Sequence, residues 1–261
     1  MNCKALIIAH FHEKGILRND TIKLINLAKK FFKKIIVIST NLRRKELNKI
    51  DKSVKVIIRP NIGYDFYSYR EGIIYLLKNE LDLFKKIYLM NTSFLCLNIK
   101  IFLKKILTTS INNKVFVGIT KSYEIHEHIQ SYLLIIDKKL FLNSIFIDWF
   151  KKMKPINKRQ NVIEKYELGL SKLILDMSFS ISSLFKKNLI IYKKYKFNFL
   201  GKVFFLKKKR DKKNPMHFYY KEIYNEFRII KIELLTKNPF KIDLYNIKKI
   251  LVNKKIKELL N

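Results

Sequence analysis

Cysteine is nearly missing from this chain. Only Cys3 and Cys96 occur, far apart and without the spacing of a disulfide framework or a metal knuckle. That excludes a small stapled scaffold and fits a reducing compartment, so the protein is expected to work inside the cell. Long apolar runs are missing too. The longest uncharged stretch near the centre, Ile87 to Ile99, is too short and too polar to cross a bilayer. The opening MNCKALIIAH lacks the long apolar core and small-residue cleavage site of a signal peptide and reads as a first strand. Arginine is scarce in an otherwise basic chain: of 55 Lys and Arg only eight are Arg, set against 21 Asp and Glu for a net charge of +34. A reader of DNA or RNA would favour the planar guanidinium fork, which pairs with phosphates and base edges as Lys cannot. No nucleic-acid motif stands out either, so nucleic acid is not an expected partner, and a basic nucleic-acid-binding protein ranks only as a second alternative. The excess of Lys, together with Ile, Asn, Phe and Tyr, fits an AT-rich genome. Its physical consequence is attraction to anionic surfaces, and the inner face of the cell membrane is the expected place of work, held peripherally.

What is present is ample core: 261 residues, 48% of them apolar, enough for one large folded domain. Ala5 to Ala9, Lys34 to Ser39, Val54 to Ile58 and Ile87 to Met90 are short apolar runs of the kind found in strands buried on both faces. Between them lie helical patterns, one opening at Asn19-Asp20-Thr21 and one over Tyr67 to Lys78. This alternation predicts an α/β fold with a mostly parallel central sheet. Further strands are expected at Val115 to Ile119 and Gln130 to Ile136, then helices around Leu140 to Phe150 and from Asn161 to about Met177. The expected organisation is a core over 1–188, with a donor half at 1–113 and an acceptor half at 114–188. A basic, largely helical C-terminal extension over 189–261 packs on it. The cluster Lys207 to Lys213 (KKKRDKK) reads as a solvated loop.

Chemistry concentrates in RPNIGYDFYSYREGI (Arg59 to Ile73) and IYLMNTS (Ile87 to Ser93). A strand, a polar Gly-containing turn opening a helix, and a second strand tipped with small polar residues form a pocket for a sugar nucleotide. The glycine lets backbone approach the ligand, and strand-end side chains point into the crevice of an open α/β sheet. Asn61, Gly63, Asp65 and Arg70 are the donor-binding candidates, with Asn91, Thr92 and Ser93 from the second strand. Asp65 suits hydrogen bonds from ribose or base and equally suits a helix N-cap; Arg70 suits a diphosphate. Asn91-Thr92-Ser93 offers no acid for a hard divalent cation, so a metal-free mechanism is expected, with Arg59, Arg70 or Lys121 neutralising the leaving group. His126, His128 and Gln130 alternate in an extended segment and so share one face, a candidate acceptor side. In VIEKYELGLSKLIL, Glu167 shares the apolar helical face of Ile163, Tyr166, Leu170 and Ile174, and Glu164 lies at its edge. Either could take a proton from an attacking hydroxyl, and either could be an ordinary carboxylate on a partly solvated helix.

These blocks, with VFVGITKSYEIHEHIQSYLLI and NPMHFYYKEIYNEFRIIKIELLTKNP, stand in the order found in the rhamnan synthesis F family of bacterial polysaccharide glycosyltransferases, which the chain resembles from residue 5 to about 240. The resemblance implies a GT-A-like architecture and transfer of a deoxyhexose, typically rhamnose from a dTDP donor, onto a lipid-linked surface glycan such as O-antigen. Other glycan-assembly enzymes are the implied partners. By analogy with the order of elements in GT-A enzymes, Glu167, or failing it Glu164, is the base of an inverting transfer. The family usually carries Asn-Asp-Ser where this chain has Asn91-Thr92-Ser93. A non-catalytic, degenerate subunit that binds glycan or a partner enzyme is the alternative that Thr92 favours.

Overall fold

The computed structural model describes residues 3–108, 114–186, 190–196, 204–210, 212–245 and 247. Strands β1 (Lys4–His10), β2 (Lys34–Ser39), β3 (Lys55–Ile58) and β4 (Lys86–Asn91) are parallel neighbours in the order β3-β2-β1-β4. Helices α1 (Asn19–Ala28) and α2 (Tyr64–Asn79) alternate with them. A short strand β5 (Phe94–Cys96) and helix α3 (Ile99–Thr108) follow β4.

The residues from 114 onward complete the same sheet. Strand β6 (Phe116–Gly118) leads into a small hairpin of β7 (Lys121–Ser122) and β8 (His128–Ile129). That hairpin turns the chain around, so β9 (Leu133–Asp137) inserts antiparallel between β4 and β6. Two helices, α4 (Lys138–Phe141) and α5 (Ser144–Lys151), occupy the stretch expected as one helix. Asp137 and Asn143 cap them, each accepting a backbone N–H two residues on, and the second cap restarts the helix. The run expected from Asn161 is α6 (Arg159–Val162), a π-helical segment (Ile163–Leu168) and α7 (Gly169–Asp176). Strand β10 (Ile181–Ser183) joins β6 in parallel and ends the sheet, whose full order is β10-β6-β9-β4-β1-β2-β3. This is the expected mostly parallel α/β architecture, with one reversed strand that periodicity could not show.

Period-two alternation sorts the strands onto two cores. Leu6, Ile8, Val37, Tyr88 and Met90 face the core under α1 and α3. Ala5, Ile7, Ile36, Ile87 and Leu89 face the core under α2, α5 and α7. Helix α2 lies close on β1 because Gly72 has no side chain: a Cβ there would sit 2.4 Å from Ile7 Cγ2.

Beyond the sheet, β11 (Ile190–Lys196) and β12 (Phe204–Arg210) form an antiparallel hairpin. Lys207 to Arg210 are therefore ladder residues and not the loop expected of that cluster, because cross-strand pairing fixes a segment that composition alone reads as solvated. Helices α8 (Pro215–Phe218), α9 (Tyr220–Phe227) and α10 (Ile232–Thr236) follow, the last two flanking β13 (Ile229–Lys231). The largely helical character expected of the extension holds for these three short helices but is interrupted by β13, and positions 246 and 248–261 lie outside the described residues. Strand β13 pairs with β5, fastening the extension to the chain just after β4.

Candidate active site

The strand order places a crevice. From β1 the chain builds outward through β2 and β3, then returns to lay β4 on the other side, so the strand order reverses at the C-terminal ends of β1 and β4, where open α/β sheets bind their ligands. There Thr92 N–H donates to Ala9 O at 3.2 Å, and Phe11 N–H reaches Thr92 Oγ1 at 3.4 Å. Asn91 N–H donates to Tyr132 O at 3.1 Å, bringing the start of β9 alongside.

Four elements converge on this point. Asn91 Nδ2 donates to Asp65 Oδ2 at 2.7 Å, while Asp65 Oδ1 accepts the backbone N–H of Phe66 at 3.0 Å. Gly63, not Asp65, is the N-cap of α2; Asp65 sits in the first turn and its side chain faces the strand end. Burial pushes its pKa above the ordinary carboxylate value, the Asn91 bond opposes that, and the charge of nearby Glu167 adds to the rise. Glu167 projects from the π-helical segment. Its Oε2 accepts the Ser131 backbone N–H at 2.8 Å and the Ser131 hydroxyl, and its Oε1 lies 3.6 Å from His128 Nε2. Burial alone would raise the Glu167 pKa, but the bonds from His128 and Ser131 outweigh it and hold the carboxyl below its ordinary value. Tyr69 Oη donates to Ser131 O at 2.8 Å and locks that residue from beneath.

His128 is the buried partner of this carboxylate. Its Nδ1 bonds His126 O at 2.8 Å; a carbonyl can only accept, so Nδ1 carries the proton and Nε2 is protonated only in the charged ring. Burial lowers its pKa, yet Glu167 and the His126 carbonyl together lift it above 6.5. A group with a raised folded-state pKa contributes stability that is present below its unfolded value and is lost as pH rises through the folded value. The stability gap between the native chain and His128→Gln should therefore be wide near pH 6 and close toward pH 9, measured by urea titration at each pH. An equal gap at both would break the His128–Glu167 pairing.

Other residues singled out in the sequence lie apart from this cluster or touch only its edge, as the His126 carbonyl and Ser93 do. Glu164 is exposed and accepts from Gln160 Nε2 at 2.8 Å. His126 and Asn61 are exposed. Gln130 is buried and turned elsewhere, with Thr120 Oγ1 donating to its Oε1 at 2.8 Å and its Nε2 reaching Asn214 Oδ1 at 3.3 Å. Arg70 is engaged by Glu71 at 2.5 Å, by Lys151 O at 3.4 Å and by the Tyr67 ring. Arg59 is spent on architecture: its guanidinium donates to Pro60 O, Ile62 O, Tyr64 O and Ser68 Oγ. With Gly63 at φ +72°, where a Cβ would meet Tyr67 Cβ at 2.7 Å, it fixes the turn that starts α2. Lys121 is taken by Glu127 at 2.6 Å and Ile181 O at 3.0 Å. Ser93 is exposed, its hydroxyl donating to Asn91 Oδ1 at 2.6 Å.

Two contributors escaped the sequence reading. Ser131, beside the His-x-His-x-Gln alternation, had a signal in its position. The π-helical segment had none in the periodicity, although such segments recur at functional sites because they re-aim a side chain. Beneath the crevice, Arg18 and Asp20 form a buried pair at 3.0 Å. Arg18 donates to Thr92 O at 2.9 Å and Phe94 O at 2.8 Å, and Asp20 accepts Cys96 N–H at 3.0 Å. Asp20, read as part of a helix cap, instead anchors the segment after β4.

The chain is similar to several known proteins. The family profile described as Rhamnan synthesis protein F matches residues 35–211. The uncharacterized protein y4gN of Sinorhizobium fredii is 29% identical over 189 residues, which are 69% of this chain and 48% of the relative; the chain spans about half the length of that curated protein. Among solved structures, a glycosyltransferase involved in glycosylating the major capsid of PBCV-1 is similar at 9% identity and a TM-score of 0.43, over 88% of this chain and 93% of the other. The 4-diphosphocytidyl-2C-methyl-D-erythritol synthase of Anaerococcus prevotii is similar at 15% identity and 0.41, over 70% and 88%. The catalytic domain of Drosophila beta1,4-galactosyltransferase 7 is similar at 11% identity and 0.36, over 70% and 66%. Because the profile takes in residues 35–211, well over half of the chain, the protein belongs to the rhamnan synthesis protein F family.

Proposed function

We propose that this chain carries a nucleotide-sugar glycosyltransferase site that moves a deoxyhexose, rhamnose from a dTDP donor being the first candidate, onto a lipid-linked surface glycan by inverting transfer. The observation that carries the reading is the convergence of Asp65, Asn91, Ser131, His128 and Glu167 at the C-terminal ends of the strands, where the order reverses. Asp65 and Asn91 supply acceptor and donor atoms for sugar and ribose hydroxyls. Glu167, ionised at neutral pH, accepts the proton of the acceptor hydroxyl as that oxygen bonds the anomeric carbon. The bond from that carbon to the diphosphate breaks, its electron pair leaving on the nucleoside diphosphate, and the proton passes from Glu167 to solvent. Ser131 fixes the carboxylate so that it need not reorganise during the step.

A divalent cation does not fit this donor set. Asp65 is engaged by Asn91, Glu167 by Ser131 and His128, and Thr92 stands where a second acid would be needed, while hard cations take several carboxylate or carbonyl oxygens. The donor half over 1–113, the acceptor half over 114–188 and the extension over 189–261 are part of the same proposal, as is attraction of the basic surface to an anionic inner leaflet. No helix among the described residues is long and apolar enough to cross a membrane.

The test is release of nucleoside diphosphate from a panel of nucleotide sugars, with dTDP-rhamnose foremost, in the presence of membrane extract as acceptor. Acceptor-dependent release from one sugar nucleotide supports the reading. Tight binding without release under any acceptor would instead support the non-catalytic alternative that Thr92 favours.

A further inference from the structure

If the site takes a sugar nucleotide, it must meet a charge on each phosphate, and the cations named from sequence are committed elsewhere: Arg59 to the turn carbonyls, Arg70 to Glu71, Lys121 to Glu127. A different set stands over the crevice. The loop before α6 is joined to the start of α2 by Tyr64 Oη donating to Asn157 O at 3.3 Å. On the facing side, Ile232 N–H donates to Ser93 O at 3.0 Å, placing α10 beside the end of β4. Between these walls runs one ion pair, Arg159 Nη1 to Glu233 Oε1 at 2.9 Å and Nη2 to Oε2 at 3.3 Å. Lys231 Nζ lies 3.7 Å from Glu233 Oε2. His217 Nε2 is also 3.7 Å away, its ring buried against Phe240 and held neutral by burial, with a pKa of about 4. Arg159 is also within electrostatic reach of Asp65 and Glu167. The Tyr64–Asn157 and Ile232–Ser93 bonds thus tie the two walls of this ion pair to the start of α2 and the end of β4.

We propose that Arg159 and Lys231 form the diphosphate subsite of the donor, and that Glu233 occupies it in the free protein as an internal stand-in for the anion. Glu233 presents two oxygens to the guanidinium in the forked geometry that a phosphate also uses. Arg159 and Lys231 together carry two positive charges against one carboxylate. Exchange of Glu233 for a diphosphate thus trades one anion for a more highly charged one at the same donors. The inference rests on the glycosyltransferase reading. It adds a role for the C-terminal extension: β13 delivers Lys231 and α10 the competing Glu233, so the core alone supplies only one of the two cations.

The experiment is calorimetric titration of the full chain, at 0.15 M salt to screen its bulk charge, with dTDP, UDP and GDP and with the matching nucleosides. Arg159→Ala should weaken the best-bound diphosphate about 10- to 100-fold, as expected for loss of charge-assisted bonds. Arg159→Lys should fall between, keeping charge without the fork. Glu233→Gln should tighten the diphosphate about 3- to 10-fold by removing the competing anion. Nucleoside affinity should stay constant in all three. Unchanged diphosphate affinity in Arg159→Ala would overturn the subsite. So would weakening in Glu233→Gln to match Arg159→Ala, since a merely structural latch loses equally from either side. A native chain that binds none of the diphosphates would sink the donor reading itself, and this inference with it.

Discussion

Replacing Glu167 by Gln should lower the rate of sugar transfer by about 10²- to 10⁴-fold, the usual contribution of a positioned base, while leaving donor affinity near that of the native chain. The amide is almost isosteric, and its carbonyl can still accept the Ser131 backbone N–H and hydroxyl that now bind Oε2, so the residue stays in place without its basicity. Two further results separate a base from a packing residue. The His128 pKa should fall in the variant, because the Glu167 carboxylate is what lifts it against burial. Glu164→Gln should leave turnover unchanged, since Glu164 faces solvent and meets only Gln160. Steady-state turnover with a fixed donor, and NMR titration of the His128 ring, are the measurements. A Glu167→Gln enzyme with full activity would remove the base from this site.

Loss of Asp20 should be the most damaging single change to the fold. Asp20→Ala leaves the Arg18 guanidinium, 5% exposed, as an uncompensated buried charge and strips Cys96 N–H of its acceptor. Breaking one side of a buried ion pair in this way costs about 3–5 kcal/mol. The effect should reach the site, because Arg18 also holds the Thr92 and Phe94 carbonyls and thereby the turn that presents Asn91. The urea midpoint should drop sharply, and nucleotide affinity should fall in conditions where the variant is still folded. A loss below about 1 kcal/mol, the scale of an exposed pair, would show that Arg18 finds another partner or water.

The parallel half of the fold was legible because strands buried on both faces must be continuously apolar, as Ala5 to Ala9 and Lys34 to Ser39 are. Helix α2 was legible for its apolar spacing, though it begins three residues before the expected Tyr67 because Gly63, at positive φ, and Arg59 build its start. Direction was not legible. Strand β9 looks like its neighbours in composition, and only the β7–β8 turn reverses it. The split between α4 and α5 depends on a cap at Asn143 that competes with a continuing helix, a balance set by how both pack.

At the site, strand-end position made Asn91 a candidate and position after the turn glycine made Asp65 one, and the structure has the two side chains bonded to each other. Helical spacing put Glu167 on a buried face and Glu164 at its edge, and the structure has Glu167 in the cluster with Glu164 outside it. Arg70 shows the limit of local reading. It stands five residues from Asp65, yet the turn of α2 sends it toward Lys151. Arg159, far along the chain, comes within electrostatic reach of both carboxylates through tertiary structure alone.

The most direct test of the central claim is a crystal structure of the chain with a bound nucleoside diphosphate. The account predicts the nucleotide in the crevice between the ends of β1 and β4, its phosphates within hydrogen-bond distance of Arg159 and its distal end toward Asn91, Asp65 and Glu167. A nucleotide bound elsewhere, with Asp65, Asn91 and Glu167 still paired only to one another, would contradict it.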